Sequence, residues 1–237
     1  MALYTDEGVV LRTAKLGEAD RIITLFTRMH GKVRAVAKGV RRTKSRFGGR
    51  LEPFMRVNVL IAEGRSLDVI SQAETISAYA SSICLDYEAY MAAGIMAETL
   101  DKLIDTEREA APEQYRLLIG ALHVLSKQAH PAQSIGDSYV LRALALAGWT
   151  PRLQSCVVCG TRERLAHLSI PAGGVMCSAD RTPEARPLAD AERGQLCALL
   201  AGDWTALGDR PPEVRVTRLV GDWAEYYLER PLRSMRV

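Results

Sequence analysis

The stretch Gly31 to Arg56, GKVRAVAKGVRRTKSRFGGRLEPFMR, decides how the N-terminal part of the chain reads. If residues 32–38 form a strand, side chains two apart share a face. Val33, Ala35 and Ala37 then line a core, while Lys32, Arg34 and Lys38 make a cationic platform on the other side. The strand runs into Gly39, Arg41, Arg42, Lys44, Arg46, Gly48, Gly49 and Arg50, with no acidic residue between Lys38 and Arg50. A mobile loop of this charge beside such a platform suits a polyanion; a solvated loop that only keeps the chain in solution is the plainer alternative.

Outward from this stretch, charge is segregated along the chain. Residues 1–56 hold 13 Lys and Arg against 5 Asp and Glu, a net +8, whereas the rest of the 237 residues carries −5. This supports a nucleic-acid or anionic-surface footprint on the N-terminal part. The composition, 48% hydrophobic and 25% charged, is that of an ordinary globular protein with ample core material. No apolar run approaches the roughly 20 residues of a spanning helix, and no signal-peptide pattern opens the chain. A cytoplasmic protein with no membrane partner is expected.

Around the basic stretch the period is two. Gly8–Thr13, Arg21–Arg28, residues 32–38, Pro53–Ala62 and Ser66–Ser77 read as five strands rich in β-branched residues. Five short strands in about 75 residues are too few for a sandwich and fit a small closed barrel of the OB type, whose second and third strands and neighbouring loops carry oligonucleotides; an SH3-like barrel is the alternative. Lys15 and Arg21 flank the first loop on the same face. The candidate nucleic-acid contacts are therefore Lys15, Arg21, Lys32, Arg34, Lys38, Arg41, Arg42, Lys44, Arg46 and Arg50. Aromatic residues make up only 6% of the chain. Phe26, Phe47 and Phe54 are the few stacking candidates in the barrel, and Phe26 and Phe54 sit in strand patterns.

After Tyr79 the spacing becomes helical. Tyr87, Met91 and Ile95, then Tyr115, Leu118, Leu122 and Leu125, mark apolar stripes. Further helices are expected over Asp137–Gly148, Asp190–Ala201 with Gly202 as the stop, and Pro212–Arg230. Cys84 and Cys197 fall within this pattern as small buried apolar residues. The expected architecture is an α+β multidomain chain: a five-stranded barrel over 1–79, a helical domain over 80–237, and a knuckle-like insertion over 152–182.

The insertion carries the second chemical motif. Cys156 and Cys159 form a C-x-x-C followed by Gly160, and Cys177 comes 17 intervening residues later. That spacing suits a structural zinc site. Where a fourth cysteine would stand the chain has Asp180, an acceptable zinc ligand, with His167 as a competitor; the alternative is a degenerate knuckle that holds no metal. No Glu is placed as a base in an HxE or HExxH setting, and no phosphate loop or Ser-His-acid constellation is present, so no enzyme is expected.

The segments GEADRIITLFTRMHGKVRAVAKGVRRTKSRFGGRLEPF, Gly17 to Phe54, and LRALALAGWTPRLQSCVVCG, Leu141 to Gly160, resemble the RecO family of bacterial DNA repair proteins, and the likeness spans essentially the whole chain. The resemblance implies an OB barrel, a helical domain and a zinc knuckle. It also implies binding of single- and double-stranded DNA, annealing of complementary strands, and work with RecR and the C-terminal tail of single-strand binding protein in loading RecA. Asp180 departs from the cysteine usual in metal-holding members. An RNA-binding or ribosome-associated barrel protein, and a zinc-dependent nucleic-acid enzyme, are the rival readings.

Overall fold

The computed structural model describes residues 2–235. Strands Leu3–Leu16 (β1), Asp20–Thr27 (β2), Gly31–Ala37 (β3), Met55–Ala62 (β4) and Asp68–Ala78 (β5) form one sheet that closes on itself in the order β1-β2-β3-β5-β4. β1 makes the closure possible because it is long enough for two partners. Its first half pairs with β4, Leu3 opposite Ala62 through Val9 opposite Arg56, and its second half pairs with β2 from Gly8 opposite Thr27. A register shift between Val10 and Arg12 bends the strand from one partner to the other, as bulges do. The last seam is a short parallel pair, Ala35 with Asp68 and Val36 with Val69.

β1 begins five residues before the expected Gly8. The segment Leu3–Glu7 has no apolar alternation because Asp6 points inward to serve a turn. Its carboxylate, 5% exposed, accepts from the backbone N–H groups of Met29 and His30 and contacts His30 Nδ1 at 2.7 Å. Inside the barrel, Val10, Ile23, Leu25, Val33, Ala35, Val57, Val59, Ile61 and Ile70 pack with Phe47, Leu51 and Met55. The alternation of β3 is thus confirmed for its core face.

Three helices follow: Ala80–Ile83 (α1), Tyr87–Leu103 (α2) and Pro112–Ser126 (α3). The Asp86 side chain caps α2 by accepting from Ala89 N–H, and Pro112 opens α3 where its missing N–H costs nothing. Cys84 is exposed, not buried, and so is Tyr87, at 69%. Both lie at the α1–α2 corner, where the stripe has not yet turned toward the core. The chain divides into two compact units, Met1–Lys127 and Gln128–Val237. The first three helices share a unit with the barrel, since α2 and the segment after it are bonded to β1, β3 and β5.

In the second unit Ala132–Leu146 (α4) is the central element, with Ile135, Tyr139, Val140, Leu141, Ala143 and Leu144 buried. It starts five residues before the expected Asp137, and its first turns bury Ser134, Asp137 and Ser138. These polar groups hide the apolar period at that end. Asp137 accepts from Thr217 Oγ1 at 2.6 Å and from Gln133 Nε2 at 2.8 Å, and Ser138 donates to the Leu199 carbonyl. A small sheet follows, His167–Ser169 (β6), Gly174–Met176 (β7) and Arg186–Pro187 (β8), in the order β7-β6-β8. Helices Asp190–Ala201 (α5), Trp204–Leu207 (α6) and Val214–Leu228 (α7) complete the unit. Gly202 ends α5 in the left-handed conformation, φ 68°, as its place in the sequence requires. Among the described residues no helix is long and apolar enough to cross a membrane.

Candidate nucleic-acid interface and metal cluster

The platform face of β3 is not open. Lys32 is 8% exposed. Its Nζ donates to the Asp101 carbonyl at 2.8 Å and lies 3.4 Å from the Asp101 carboxylate. The segment after α2 runs beside the strand, where Arg108 N–H donates to the Lys32 carbonyl. Gly31 admits this approach, since a Cβ there would lie 1.8 Å from the Glu109 carbonyl oxygen. Arg34 Nη1 stands 3.6 Å from Glu107, and Lys38 at the end of the strand is exposed. The expected platform is therefore reduced to Lys38 and a neutralised Arg34, because acidic residues about 70 positions downstream cover it.

The basic run beyond β3 is ordered by its apolar residues. Phe47 and Leu51, each 1% exposed, enter the barrel core, and burying each contributes about 1.5–3 kcal/mol. Successive turns wind the chain between them, with backbone bonds from Arg42 to Gly39, Ser45 to Arg42, Gly48 to Ser45 and Arg50 to Phe47. A mobile loop is thus corrected to an anchored one, and Phe47 is removed from the stacking candidates. Phe26 and Phe54 are buried as well, at 0% and 4%, so the barrel offers no free Phe ring to a base.

The loop is also tied to the β1–β2 tip. Gly39 N–H donates to the Asp20 carboxylate at 2.7 Å, Arg41 N–H donates to the Ala19 carbonyl at 2.9 Å, and Arg21 pairs with Glu52 at 2.7 Å. Lys15 lies opposite Arg21 in the β1–β2 register. The ties bring Lys15, Arg21, Lys38, Arg41, Arg42, Lys44, Arg46 and Arg50 to one end of the barrel. Except for Arg21, none of these eight has an acidic partner among the described residues. Arg46 lies over the Phe47 ring at 4.9 Å, and Arg50 Nη1 donates to the Arg46 and Phe47 carbonyls. Uncompensated cations on a fixed loop, with no exposed Phe beside them, fit phosphate contact better than base stacking.

The second cluster is built by a tight turn docked on β7. Cys156 N–H donates to the Thr161 carbonyl at 2.8 Å, Gly160 N–H to the Cys156 carbonyl at 3.0 Å, and Val157 N–H to the Val175 carbonyl at 2.9 Å. Gly160 has φ 76°, the conformation that folds the knuckle back. The result gathers one ligand atom each from Cys156, Cys159, Cys177 and Asp180 within 4.8 Å of one another. Asp180 Oδ2 is 3.2 Å from the Cys177 sulfur and 3.6 Å from that of Cys156.

The crowding shows in the acidities. The hydrogen bond to Asp180 pushes the Cys159 thiol up to about 12, while the donated thiols of Cys159 and Cys177 hold the Asp180 carboxyl below its usual range. Burial raises the Cys156 thiol, but the backbone N–H groups of Cys177, Cys159 and Val158 outweigh it and bring the thiol down to about 7. Three sulfurs and one carboxylate oxygen at these separations can hold a metal ion and are compatible with zinc. His167 is not among them; it sits on β6 opposite Met176 and Pro187.

The family profile described as "Recombination protein O N terminal" matches residues 1–79, and "Recombination protein O C terminal" matches residues 84–236. A DNA repair protein RecO of Bifidobacterium longum is 67% identical over 237 residues, covering 100% of this chain and 99% of the relative. The DNA repair protein RecO of a Nocardioides species is 47% identical over 240 residues, covering 98% of each. That of Thermobifida fusca is 44% identical over 239 residues, covering 100% and 98%. On these matches, which run the length of both units, the chain belongs to the RecO family of recombination and DNA repair proteins.

Proposed function

We propose that this chain is a non-enzymatic DNA-binding recombination mediator, one that binds single- and double-stranded DNA, anneals complementary strands and, with RecR, helps load RecA onto DNA coated with single-strand binding protein. The observation that carries the reading is the group of cations without acidic partners among the described residues, Lys15 on β1 and Lys38, Arg41, Arg42, Lys44, Arg46 and Arg50 on the anchored loop, at one end of the barrel in a member of the RecO family. The strand order with its parallel β3–β5 seam supports an OB-type assignment for residues 1–79.

Annealing brings two polyanions together. The protein must neutralise phosphates and leave base edges free to pair, since a base held by stacking or by its edge cannot meet its complement. Guanidinium and ammonium groups on a fixed loop do the first without the second. Lys32, buried against Asp101, supports the fold of this region, and Arg34 beside Glu107 contributes less than its charge suggests.

The helical part, residues 80–237, serves the protein partners, RecR and the C-terminal tail of single-strand binding protein. The insertion over 152–182 holds a structural zinc ion on Cys156, Cys159, Cys177 and Asp180, which would fix the fold of the knuckle and supply no reaction step.

The test is annealing of complementary strands precoated with single-strand binding protein. Duplex formation faster than the protein-free control, without turnover of either strand, is expected. Equal affinity for RNA and DNA with no annealing would favour an RNA-binding protein, and metal-dependent strand cleavage would favour an enzyme; either overturns the proposal.

A further inference from the structure

The sulfur cluster has a property beyond ion binding. Cys159 is exposed, whereas Cys156 and Cys177 are buried, and the Cys159 and Cys177 sulfurs stand 3.9 Å apart. Cys159 lies on the surface turn that Gly160 folds back. Cys156 is 0% exposed, and the fourth position, Asp180, has no sulfur to oxidise.

We propose that the knuckle is a reversible peroxide-responsive switch in which Cys159 and Cys177 join as a disulfide. The bond to Asp180 holds the Cys159 proton, so its loss is the slow step; the exposed thiolate then formed attacks one oxygen of a hydroperoxide, the O–O bond breaks, and Cys159 becomes a sulfenic acid as hydroxide leaves and takes up a proton. The Cys177 thiolate then attacks the Cys159 sulfur, forms the S–S bond and expels the second hydroxide. In sum, two thiols give up two electrons and two hydrogens, and one hydrogen peroxide becomes two waters. The residue at 180 sets where this stops. With three thiols only one disulfide can form within the cluster, and the buried Cys156 is left over as a thiol, out of reach of solvent. Two of the four ligand atoms are consumed, so the oxidised knuckle no longer offers a four-atom site. A dithiol reductant restores it. The step involves the sulfurs alone and stands independently of the reading of the site as a zinc site.

The experiment uses the full chain with Cys84→Ser, which removes the exposed thiol of the first unit. The protein is treated with hydrogen peroxide, then alkylated in denaturant and digested with trypsin. The expected product joins the peptide of residues 153–162 to that of residues 165–181, with fragment ions placing the bond on Cys159, one free thiol at Cys156, and full reversal by dithiothreitol. Adding Asp180→Cys should allow a second intramolecular disulfide and leave no knuckle thiol. A bond between Cys156 and Cys159, a disulfide only between chains, or oxidation of Cys159 to sulfinic acid without a bond to Cys177 would each overturn the proposal. Zinc content measured on the untreated protein separates failure of the switch from failure of the metal reading.

Discussion

The guanidinium of Arg41 donates to the backbone carbonyl of Glu18 at 2.8 Å. With its own N–H bonded to the neighbouring Ala19 carbonyl, Arg41 fastens the basic loop to the tip of the β1–β2 hairpin. One cation of the run is therefore partly spent on structure, while the side chains of Arg42 and Lys44 beside it have no partner among the described residues. This difference between adjacent residues sorts the expected effects of mutation.

If about five or six phosphates are neutralised at this end of the barrel, log affinity for single strands should fall with log salt at a slope of about −4. Arg42→Glu with Lys44→Glu should flatten that slope by about one unit or more and suppress annealing while leaving the unfolding midpoint unchanged, because both side chains are exposed. A salt titration of binding to a fluorescent oligonucleotide reads the slope. A wild-type slope near zero would remove phosphate contact as the basis of binding.

Lys32 should behave in the opposite way. Its ammonium is buried against Asp101, so Lys32→Ala leaves a carboxylate whose other described partner is Arg12 at 2.6 Å. A loss of about 1–3 kcal/mol is expected in denaturant unfolding, with little change in the salt slope. A large fall in slope without loss of stability would put Lys32 back among the DNA contacts.

For the metal cluster, elemental analysis of protein purified without added chelator should give about one zinc per chain. A carboxylate is a harder partner than a thiolate, so Asp180→Cys should retain zinc against a chromophoric chelator longer than the wild type. Because binding energy at such a site is local folding energy, Cys156→Ser should lower the yield of folded protein. Its salt slope for DNA should stay at the wild-type value. Protein that is folded, metal-free and indifferent to Cys156→Ser would strike zinc from the account and leave the DNA reading standing.

Asp137 gives a pH dependence in the second unit. Burial raises its carboxyl from 3.8 to about 6, against the bonds from Thr217 and Gln133, which lower it. The native state then binds the proton more tightly than the unfolded chain, so this group's contribution to stability should be full below about 4, decline as pH rises from about 4 through about 6, and change no further above about 7. Asp137→Asn should stabilise at pH 8 by an amount on the order of 2–3 kcal/mol, and the gain should vanish near pH 4. Unfolding midpoints of both proteins across this range check the sign; an Asn variant less stable at pH 8 than at pH 4, relative to wild type, would refute it.

Much of this was legible in the linear chain, and the reason is periodicity. Val33, Ala35 and Ala37 face the barrel core because a strand alternates whatever surrounds it, and the helical stripes through Leu118, Leu122, Leu125, Val216, Leu219 and Trp223 become buried faces for the same local reason. Cys156 and Cys159 converge because a C-x-x-C-G turn folds back on itself, whereas the choice of Asp180 over His167 as the fourth atom was made by the docking of that turn on β7. What only the tertiary structure decided were pairings between distant residues. Alternation placed Lys32 opposite the core face, but Asp101, 69 positions away, turned that face from an open platform into a buried ion pair. Phe47 and Leu51 stand four apart in a glycine- and arginine-rich run, a faint signal of anchoring, and their descent into the core makes the loop a fixed surface. Cys84 and Tyr87 stayed outside because a corner between two helices interrupts the stripe. Local spacing determines which way a side chain points, and the tertiary structure determines whether water or another part of the chain waits there.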